Sequence, residues 1–236
     1  MTGSLVSPEA RARVRGLITP IAVALGRLGL TPNALTLVGF GVACVAAAAA
    51  AAQAWLLAGL LVVFGGVFDL FDGALARATN RVSSLGAFMD SVFDRWGEGV
   101  VYVGVVVGCL AADFALGAFL AAAAMASAFM VSYTRAKAES LGFTAGTGMA
   151  NVGLAPREVR IAILTVGLVL TGIQGTANPL LVYESYTLPG GIDVVLPWAG
   201  EVWLSWSLAA IAVLAAVTTI QRIVHTINQA SKQEQG

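Results

Sequence analysis

The chain has 236 residues, of which 58% are hydrophobic and only 11% are charged. A soluble domain has roughly 25% charged residues, so this composition excludes a water-soluble globule and supplies enough apolar residues for about six membrane crossings. The 13 basic and 13 acidic residues cancel to a formal net charge of zero, which excludes nucleic-acid binding through overall charge.

The first 30 residues are predicted to form a cytoplasmic juxtamembrane segment with an amphipathic interfacial helix. Ser7 is suited to cap this helix and Pro8 to occupy its first position. Pro20 is expected to break or bend it. The arginines of the segment suit anionic lipid headgroups. The alternative is a charged leader that only orients the first membrane helix.

Six apolar stretches follow, each near the length of a membrane-spanning helix. They cover residues 34–53, 55–76, 90–112, 114–136, 157–177 and 202–224. We therefore predict an all-α integral membrane bundle over residues 31–228, followed by a cytoplasmic tail over residues 229–236. Gly104 and Gly108 form a small-residue pair that would let two helices pack closely.

All 13 lysines and arginines fall on one side of the predicted bundle. The connections near Gln53 and Asp113 and over residues 178–201, on the other side, contain none. Because cytoplasmic loops collect positive charge, this asymmetry predicts a multi-pass plasma membrane protein with both termini in the cytoplasm. The turn-forming sequence over residues 178–201 indicates no chemistry of its own.

Four aspartates lie where a membrane protein tolerates them least. Asp69 and Asp72 are three residues apart, and Asp90 and Asp94 are four apart, so each pair shares one helix face. An acid within the membrane costs about 2.5 to 3.5 kcal/mol on insertion scales. The connection over residues 78–85 is expected to fold one pair toward the other, at the cytoplasmic side.

Such a group of carboxylates requires cations between them, and Arg77 alone cannot balance four negative charges. An oxygen-only ligand set favours Mg²⁺ or Mn²⁺ over zinc or copper, and two such ions would balance the four charges. These ions commonly serve phosphoryl transfer, for which Gly73 would admit a diphosphate and Arg77 would contact a phosphate oxygen. The alternative is a set of helix-end acids solvated at the cytoplasmic surface.

The same stretch carries a family resemblance. Asp69-x-x-Asp72-Gly73-x-x-Ala76-Arg77, followed by Gly86-x-x-x-Asp90-x-x-x-Asp94, resembles the signature of the CDP-alcohol phosphotransferase family. Leu30-Thr31-Pro32-Asn33 also resembles the family's approach to its first membrane helix, so the similarity extends from residue 30 to about residue 228. The resemblance implies a membrane enzyme in which an alcohol hydroxyl attacks the β-phosphate of a CDP-linked lipid and releases CMP.

The resemblance also implies a role for each matching residue. Asp69, Asp72, Asp90 and Asp94 are expected to bind the metal ions, with Asp94 also acting as the general base. Contacts with the CDP-lipid are expected at Thr31, Asn33, Asp69, Gly73, Arg77 and Gly86. CDP-diacylglycerol as the donor and a homodimer as the assembly are further expectations from the family.

A group of polar and basic residues near the cytoplasmic ends of the last three spans is the expected acceptor pocket. It comprises Ser132, Arg135, Lys137, Arg157, Arg160 and Arg222. The positive-inside rule alone accounts for basic residues here, but at helix ends they would also bind a phosphate carried by the acceptor.

The acceptor itself is suggested by a second, shorter resemblance. The run Ser132-Tyr133-Thr-Arg135-Ala-Lys137-Ala-Glu139 resembles the branch of the family whose acceptor is inositol 1-phosphate. A branch that uses glycerol 3-phosphate and an archaeal-type ether-lipid donor are the alternatives.

A divalent-cation channel or transporter is the alternative from a different class. It predicts acids along the depth of the bundle and repeated halves. The four aspartates instead gather at one end, and the last three spans lack a mirrored acidic set. The sequence therefore favours an enzyme.

Overall fold

The computed structural model describes residues 8–143, 152–177, 185–188, 192–195 and 199–234. These residues form seven α-helices and one hairpin. The helices are α1 (Pro8–Arg27), α2 (Pro32–Ala51), α3 (Trp55–Ala78), α4 (Ser84–Ala111), α5 (Ala115–Ser140), α6 (Arg157–Ala177) and α7 (Ala199–Glu234). Strands β1 (Ser185–Leu188) and β2 (Ile192–Val195) pair antiparallel, with Ser185 opposite Val195. The predicted helical architecture is confirmed, and the short hairpin is an addition that an all-α prediction does not include.

The helices α2 to α7 lie at the six positions where spans were predicted. Of the described helices, α2, α3, α5 and residues 201–231 of α7 are long and apolar enough to cross a membrane. The first half of α4 is interrupted by charged residues, among them Asp94, Arg95 and Glu98. Apolar side chains on the outer surface are exposed, for example Leu60 and Phe64 of α3, as expected of a surface that faces lipid rather than water. Six spans remain a prediction, and four candidate spans are present.

The first helix packs beside the predicted site. It begins at Pro8, as expected, and continues through Pro20 to Arg27, so the helix is not broken at that proline; the predicted cap Ser7 lies outside the described residues. Ala22 of α1 packs with Leu35 of α2 and Leu75 of α3 in a small apolar cluster. This cluster fixes α1 against α2 and against α3, the helix that carries the first half of the signature.

The core of the bundle is built on close helix contacts. A Cβ atom added to Gly104 would overlap the backbone of Ala47, and one added to Gly108 would overlap the carbonyl oxygen of Ala50. These glycines therefore let α4 approach α2 backbone to backbone, which confirms the close packing predicted for the pair. The other main packings are α3 beside α2 and α6, α5 beside α4, α7 beside α5 and α6, and α1 beside α3.

A short turn brings the two aspartate pairs together. It occupies residues 79–83, between the end of α3 and the start of α4. Asn80 adopts a left-handed conformation with φ of 52°, which asparagine tolerates better than most residues. Ser83 then caps α4 by accepting a 3.0 Å hydrogen bond from the backbone N–H of Gly86. The fold-back predicted for this connection is confirmed.

Candidate active site

The four aspartates lie in the walls of two cavities. The larger cavity, of about 600 Å³, is bounded by α2, α3, α4 and α6, and its wall includes Asp69 and Asp94. The smaller cavity, of about 260 Å³, includes Asp72 and Asp90. Thr36 of α2 lines both cavities. The two cavities are therefore neighbours at Thr36, and each has two of the four aspartates in its wall.

The smaller cavity collects most of the predicted CDP-lipid contacts. Besides the two aspartates it is lined by Asn33, Gly73, Arg77 and Gly86. A Cβ atom on Gly73 would lie 3.2 Å from Nη1 of Arg77, so glycine keeps the space in front of the guanidinium open. Both halves of the signature and Asn33, from the approach to the first membrane helix, thus line one space.

Two of the predicted CDP-lipid contacts lie elsewhere. Thr31 caps α2 and accepts a 3.2 Å hydrogen bond from the backbone N–H of Ala34, which gives it a role in starting the helix. Asp69 faces the larger cavity. The structure therefore separates these two residues from the wall of the smaller cavity.

Arg157 lies between two of the aspartates. Its Nη1 atom is 2.8 Å from Oδ2 of Asp69 and 2.8 Å from Oδ2 of Asp94. The residue begins α6, so this contact connects the start of α6 to both α3 and α4. Arg157 was predicted as an acceptor-phosphate contact, and it lies within the aspartate cluster itself.

Arg160, the next predicted acceptor contact, has different partners from those expected. Its guanidinium makes two hydrogen bonds to the carboxylate of Glu98, and the residue is 1% exposed. Three of its five N–H donors are used within the protein, and a contact of Arg160 with the acceptor stays a prediction. The positive-inside pattern carried no information about an internal acid as its partner.

Arg222 of α7 is also buried and paired within the chain. Its Nε atom donates to the carbonyl oxygen of Val152 over 3.0 Å, and its Nη1 atom donates to that of Val131. It lies within electrostatic reach of Arg135 and Arg160. Arg222 therefore contributes positive potential to this end of the bundle while holding α5 and the segment before α6 in place.

The three remaining predicted acceptor residues lie near the end of α5. Arg135 forms an exposed ion pair with Glu139, with 2.8 Å between Nε and Oε1, and Lys137 is exposed. The Ser132 hydroxyl donates to the carbonyl oxygen of Ala128 at 3.5 Å. An exposed ion pair is weak, so Arg135 is able to exchange Glu139 for another anion.

Two residues that the sequence reasoning did not single out belong to the site. Thr36 donates to Asp72, and Glu98 pairs with Arg160. Glu98 follows Asp94 by four residues, so the same helix-face spacing that linked the aspartates would have included it. Thr36 carried no such signal, because one threonine in an apolar stretch is common.

The chemistry of the aspartates fits a hard divalent cation. They provide only oxygen donors, which Mg²⁺ and Mn²⁺ prefer. Asp69 interacts electrostatically with Asp72, Asp90 and Asp94, and a cation stabilises such a group of like charges. Among the residues that the structure describes, no three acidic, histidine or cysteine side chains converge in a metal-holding arrangement. Two of the candidate metal ligands, Asp69 and Asp94, form ion pairs with Arg157.

Comparison with known proteins identifies the class to which this chain belongs. Residues 29–188 match the family model described as CDP-alcohol phosphatidyltransferase, so the chain belongs to this family of transferases. The match confirms the family inferred from the aspartate signature. The enzyme interpretation is confirmed over that of a channel, and the four candidate spans agree with a membrane protein.

Curated relatives carry more specific names. The phosphatidylinositol phosphate synthase of Cutibacterium acnes is 32% identical over 216 residues, which are 91% of this chain and 94% of that protein. The archaetidylinositol phosphate synthase of Pyrococcus horikoshii is 35% identical over 166 residues, which are 70% of this chain and 84% of that protein.

Solved structures show the same fold. The crystal structure of Mycobacterium tuberculosis phosphatidylinositol phosphate synthase with CDP-DAG bound has a TM-score of 0.70 and 25% identity, covering 89% of this chain and 92% of that chain. A structure of the same protein in complex with manganese and citrate has a TM-score of 0.70 and 26% identity, covering 89% of this chain and 88% of that chain.

Proposed function

We propose that this protein transfers a phosphatidyl group from CDP-diacylglycerol to inositol 1-phosphate, forming phosphatidylinositol phosphate and releasing CMP. The observation that carries this proposal is a pair of neighbouring cavities with two of the four aspartates in the wall of each, in a chain whose relatives are named for inositol phosphate products. A lipid-linked donor in these cavities would have its diphosphate beside the acids, where the second substrate attacks it.

We assign different parts of the donor to the two cavities, according to the chemistry of the cavity walls. The smaller one, with Asn33, Gly73, Arg77 and Gly86 in its wall, suits the cytidine diphosphate, because its arginine pairs with phosphate and its glycines admit close approach. The larger one is lined mainly by apolar residues such as Val62, Phe93 and Ile161, which suit the hydrocarbon part of the lipid.

We assign the metal site to Asp69, Asp72, Asp90 and Asp94. Two divalent cations, Mg²⁺ or Mn²⁺, would balance the four carboxylates, and when bound they neutralise charge on the diphosphate. The manganese complex of the Mycobacterium tuberculosis relative supports this assignment.

The chain's own residues account for the proton and for the phosphate of the acceptor. Asp94 accepts the proton of the attacking hydroxyl, whose oxygen forms a bond to the β-phosphorus as the bond from that phosphorus to CMP breaks. Nε of Arg157 is buried and has no hydrogen-bond partner within the described part of the chain. Arg157 therefore has a donor left for the acceptor phosphate, beside Asp94.

Positive charge near the end of α5 and within α7 completes the proposed acceptor pocket. Arg135 and Lys137 are exposed, and Arg222 adds positive potential behind them. We further propose that the protein lies in the plasma membrane with this end in the cytoplasm, and that it forms a homodimer. The distribution of lysine and arginine supports the orientation, and the family resemblance supports the dimer.

The deciding experiment is a CMP-release assay with purified protein and Mg²⁺ or Mn²⁺. CDP-diacylglycerol is combined in turn with inositol 1-phosphate, free inositol and glycerol 3-phosphate, and the lipid product is identified by mass spectrometry. We expect CMP release with inositol 1-phosphate. Release with glycerol 3-phosphate alone would replace the proposed acceptor, and no release with any of the three would refute the function.

One observation supports a second candidate for the donor, an ether-linked CDP-lipid. The relative from Pyrococcus horikoshii is named as an archaetidylinositol phosphate synthase, whereas the one from Cutibacterium acnes is a phosphatidylinositol phosphate synthase. An ether-linked CDP-lipid tested beside CDP-diacylglycerol at equal concentration decides between them, and we expect the higher kcat/KM with the diacyl donor.

A further inference from the structure

A buried ion pair joins α4 to α6 one helical turn from the contact between Asp94 and Arg157. Glu98 follows Asp94 on α4, and Arg160 follows Arg157 on α6, at spacings that place each pair on one helix face. Nε of Arg160 lies 2.9 Å from Oε1 of Glu98, and Nη2 lies 2.8 Å from Oε2. Two ionic contacts, one above the other, therefore connect the same two helices.

This pair is more specific in geometry than stability requires. Arg160 is 1% exposed and Glu98 is 6% exposed, and the guanidinium meets the carboxylate with two parallel hydrogen bonds, which fix its orientation. A well-packed apolar pair of similar volume often gives equal stability in such a position. What the ion pair adds over such an apolar pair is therefore a fixed relative orientation of the two side chains.

Arg160 also holds the chain that leads into Arg157. Its Nη1 atom donates to the carbonyl oxygen of Ala155 over 2.9 Å, two residues before Arg157. The same segment is held from α7, where Oγ1 of Thr218 accepts hydrogen bonds from the backbone N–H groups of Leu154 and Ala155 over 3.0 and 2.9 Å. The start of α6 is thus fixed from two sides.

We propose that Glu98 and Arg160 are positioning residues, which hold Arg157 in place against Asp69 and Asp94. The main neighbours of α4 are α2 and α5, whereas those of α6 are α3 and α7, so side chains that cross between α4 and α6 set how these two helices align at the site. The inference rests on the proposed function, in which Arg157 contacts the acceptor phosphate.

The test replaces the ion pair by an apolar pair, with Glu98→Leu and Arg160→Met in one protein. Arg95 loses its 3.5 Å contact with Glu98, but it is partly exposed and keeps Asp94 within 3.8 Å. We therefore expect the melting temperature to stay within about 4 °C of the parent. We expect kcat to fall at least about tenfold and the acceptor KM to rise, because a small displacement of a substrate-binding group has such effects. The donor KM should stay within about twofold.

A second variant covers the case in which the double variant does not fold. Arg160→Lys keeps the charge but loses the planar fork, and we expect a higher acceptor KM with an unchanged donor KM. Leu168→Ala is the matched control, because Leu168 is a fully buried residue of α6 in the apolar core. It should lower the melting temperature and leave both KM values unchanged.

The outcomes separate the positioning role from the function on which it rests. Turnover by the parent on any acceptor of the series is sufficient for the comparison, so a different acceptor leaves the test intact. Parental kcat and KM values in both the double variant and Arg160→Lys would overturn the positioning role. A parent that releases no CMP on any acceptor would refute the proposed function and this inference together.

Discussion

The hydroxyl of Thr36 donates a 2.7 Å hydrogen bond to Oδ2 of Asp72, across the contact between α2 and α3. Both residues are buried, and Thr36 lines both cavities while Asp72 lines the smaller one. A residue of the first apolar stretch thus orients a carboxylate of the signature at the boundary between the two proposed substrate spaces.

Removing this hydrogen bond should weaken catalysis without unfolding the protein. In Thr36→Val the shape is retained while Asp72 loses its donor, and a hydrogen bond to a charged group contributes about 1.5 kcal/mol or more. We expect kcat to fall about tenfold, measured as the initial rate of CMP release. Thr219→Val is the control, since the hydroxyl of the buried Thr219 bonds only to Ala215 of its own helix; equal losses in both variants would argue against a specific role of Thr36.

Loss of the proposed base should separate binding from turnover. Asp94→Asn removes the proton acceptor and keeps the shape, so we expect turnover to fall at least about 100-fold. Equilibrium binding of CDP-diacylglycerol should be retained. Asp113→Asn, in the turn between α4 and α5 where φ is 55°, tests the same chemical change outside the site. Parental turnover in Asp94→Asn would show that another group accepts the proton.

A methyl group at position 73 should weaken binding of the donor and leave binding of the acceptor unchanged. In Gly73→Ala the new Cβ would lie 3.2 Å from Nη1 of Arg77 and narrow the smaller cavity. Crowding of this kind costs about 1 kcal/mol or more, so we expect the KM for CDP-diacylglycerol to rise about fivefold with an unchanged acceptor KM. Gly41→Ala on α2 has no neighbour within 4 Å and should leave both values unchanged. A rise in the acceptor KM alone would contradict the assignment of the smaller cavity to the CDP-lipid.

Divalent cations should stabilise the protein as well as activate it. Chelation by EDTA should abolish CMP release, and added Mn²⁺ or Mg²⁺ should restore it. Binding to the folded state alone contributes about 2.7 kcal/mol at a ligand concentration of 100 times Kd, so we expect saturating Mn²⁺ to raise the melting temperature by several degrees.

Asp90→Asn identifies the residues responsible for that stabilisation. It should lose most of the Mn²⁺-dependent rise in melting temperature, whereas Asp113→Asn should keep all of it. CMP release that is insensitive to EDTA would exclude metal dependence.

The positions of the helices followed from the sequence because length and composition determine them locally. The apolar stretch 157–177 coincides with α6 in the structure. The end of the predicted first span lies two residues beyond the end of α2 at Ala51, because alanine favours continuation of a helix and marks no end. Strands β1 and β2 were not predicted, because residues 178–201 were interpreted only as turns.

The aspartate cluster was predictable for a different reason from the partners of its arginines. Asp69 and Asp94 belong to two pairs joined by a short connection, so spacing alone brings them together. The partner of Arg160 is Glu98, 62 residues away in the sequence, and charge counting assigned that arginine to a pocket because it had no information about which helices become neighbours. Only the packing of α6 beside the site reveals this pairing.

The contact of Gly104 and Gly108 with the backbone of α2 has a mechanical consequence. Where main-chain atoms are in direct contact, no side chain lies between the helices that could rotate and let them slide. We therefore expect α2 and α4 to behave as one rigid body, in which Thr36, Asp90 and Asp94 keep fixed relative positions. The contacts of Arg157 are made by a long side chain that is able to exchange partners. Any adjustment that accompanies entry of substrates or departure of products is therefore expected in the side chain of Arg157, while the backbone amides of α2 and α4 stay protected from hydrogen exchange.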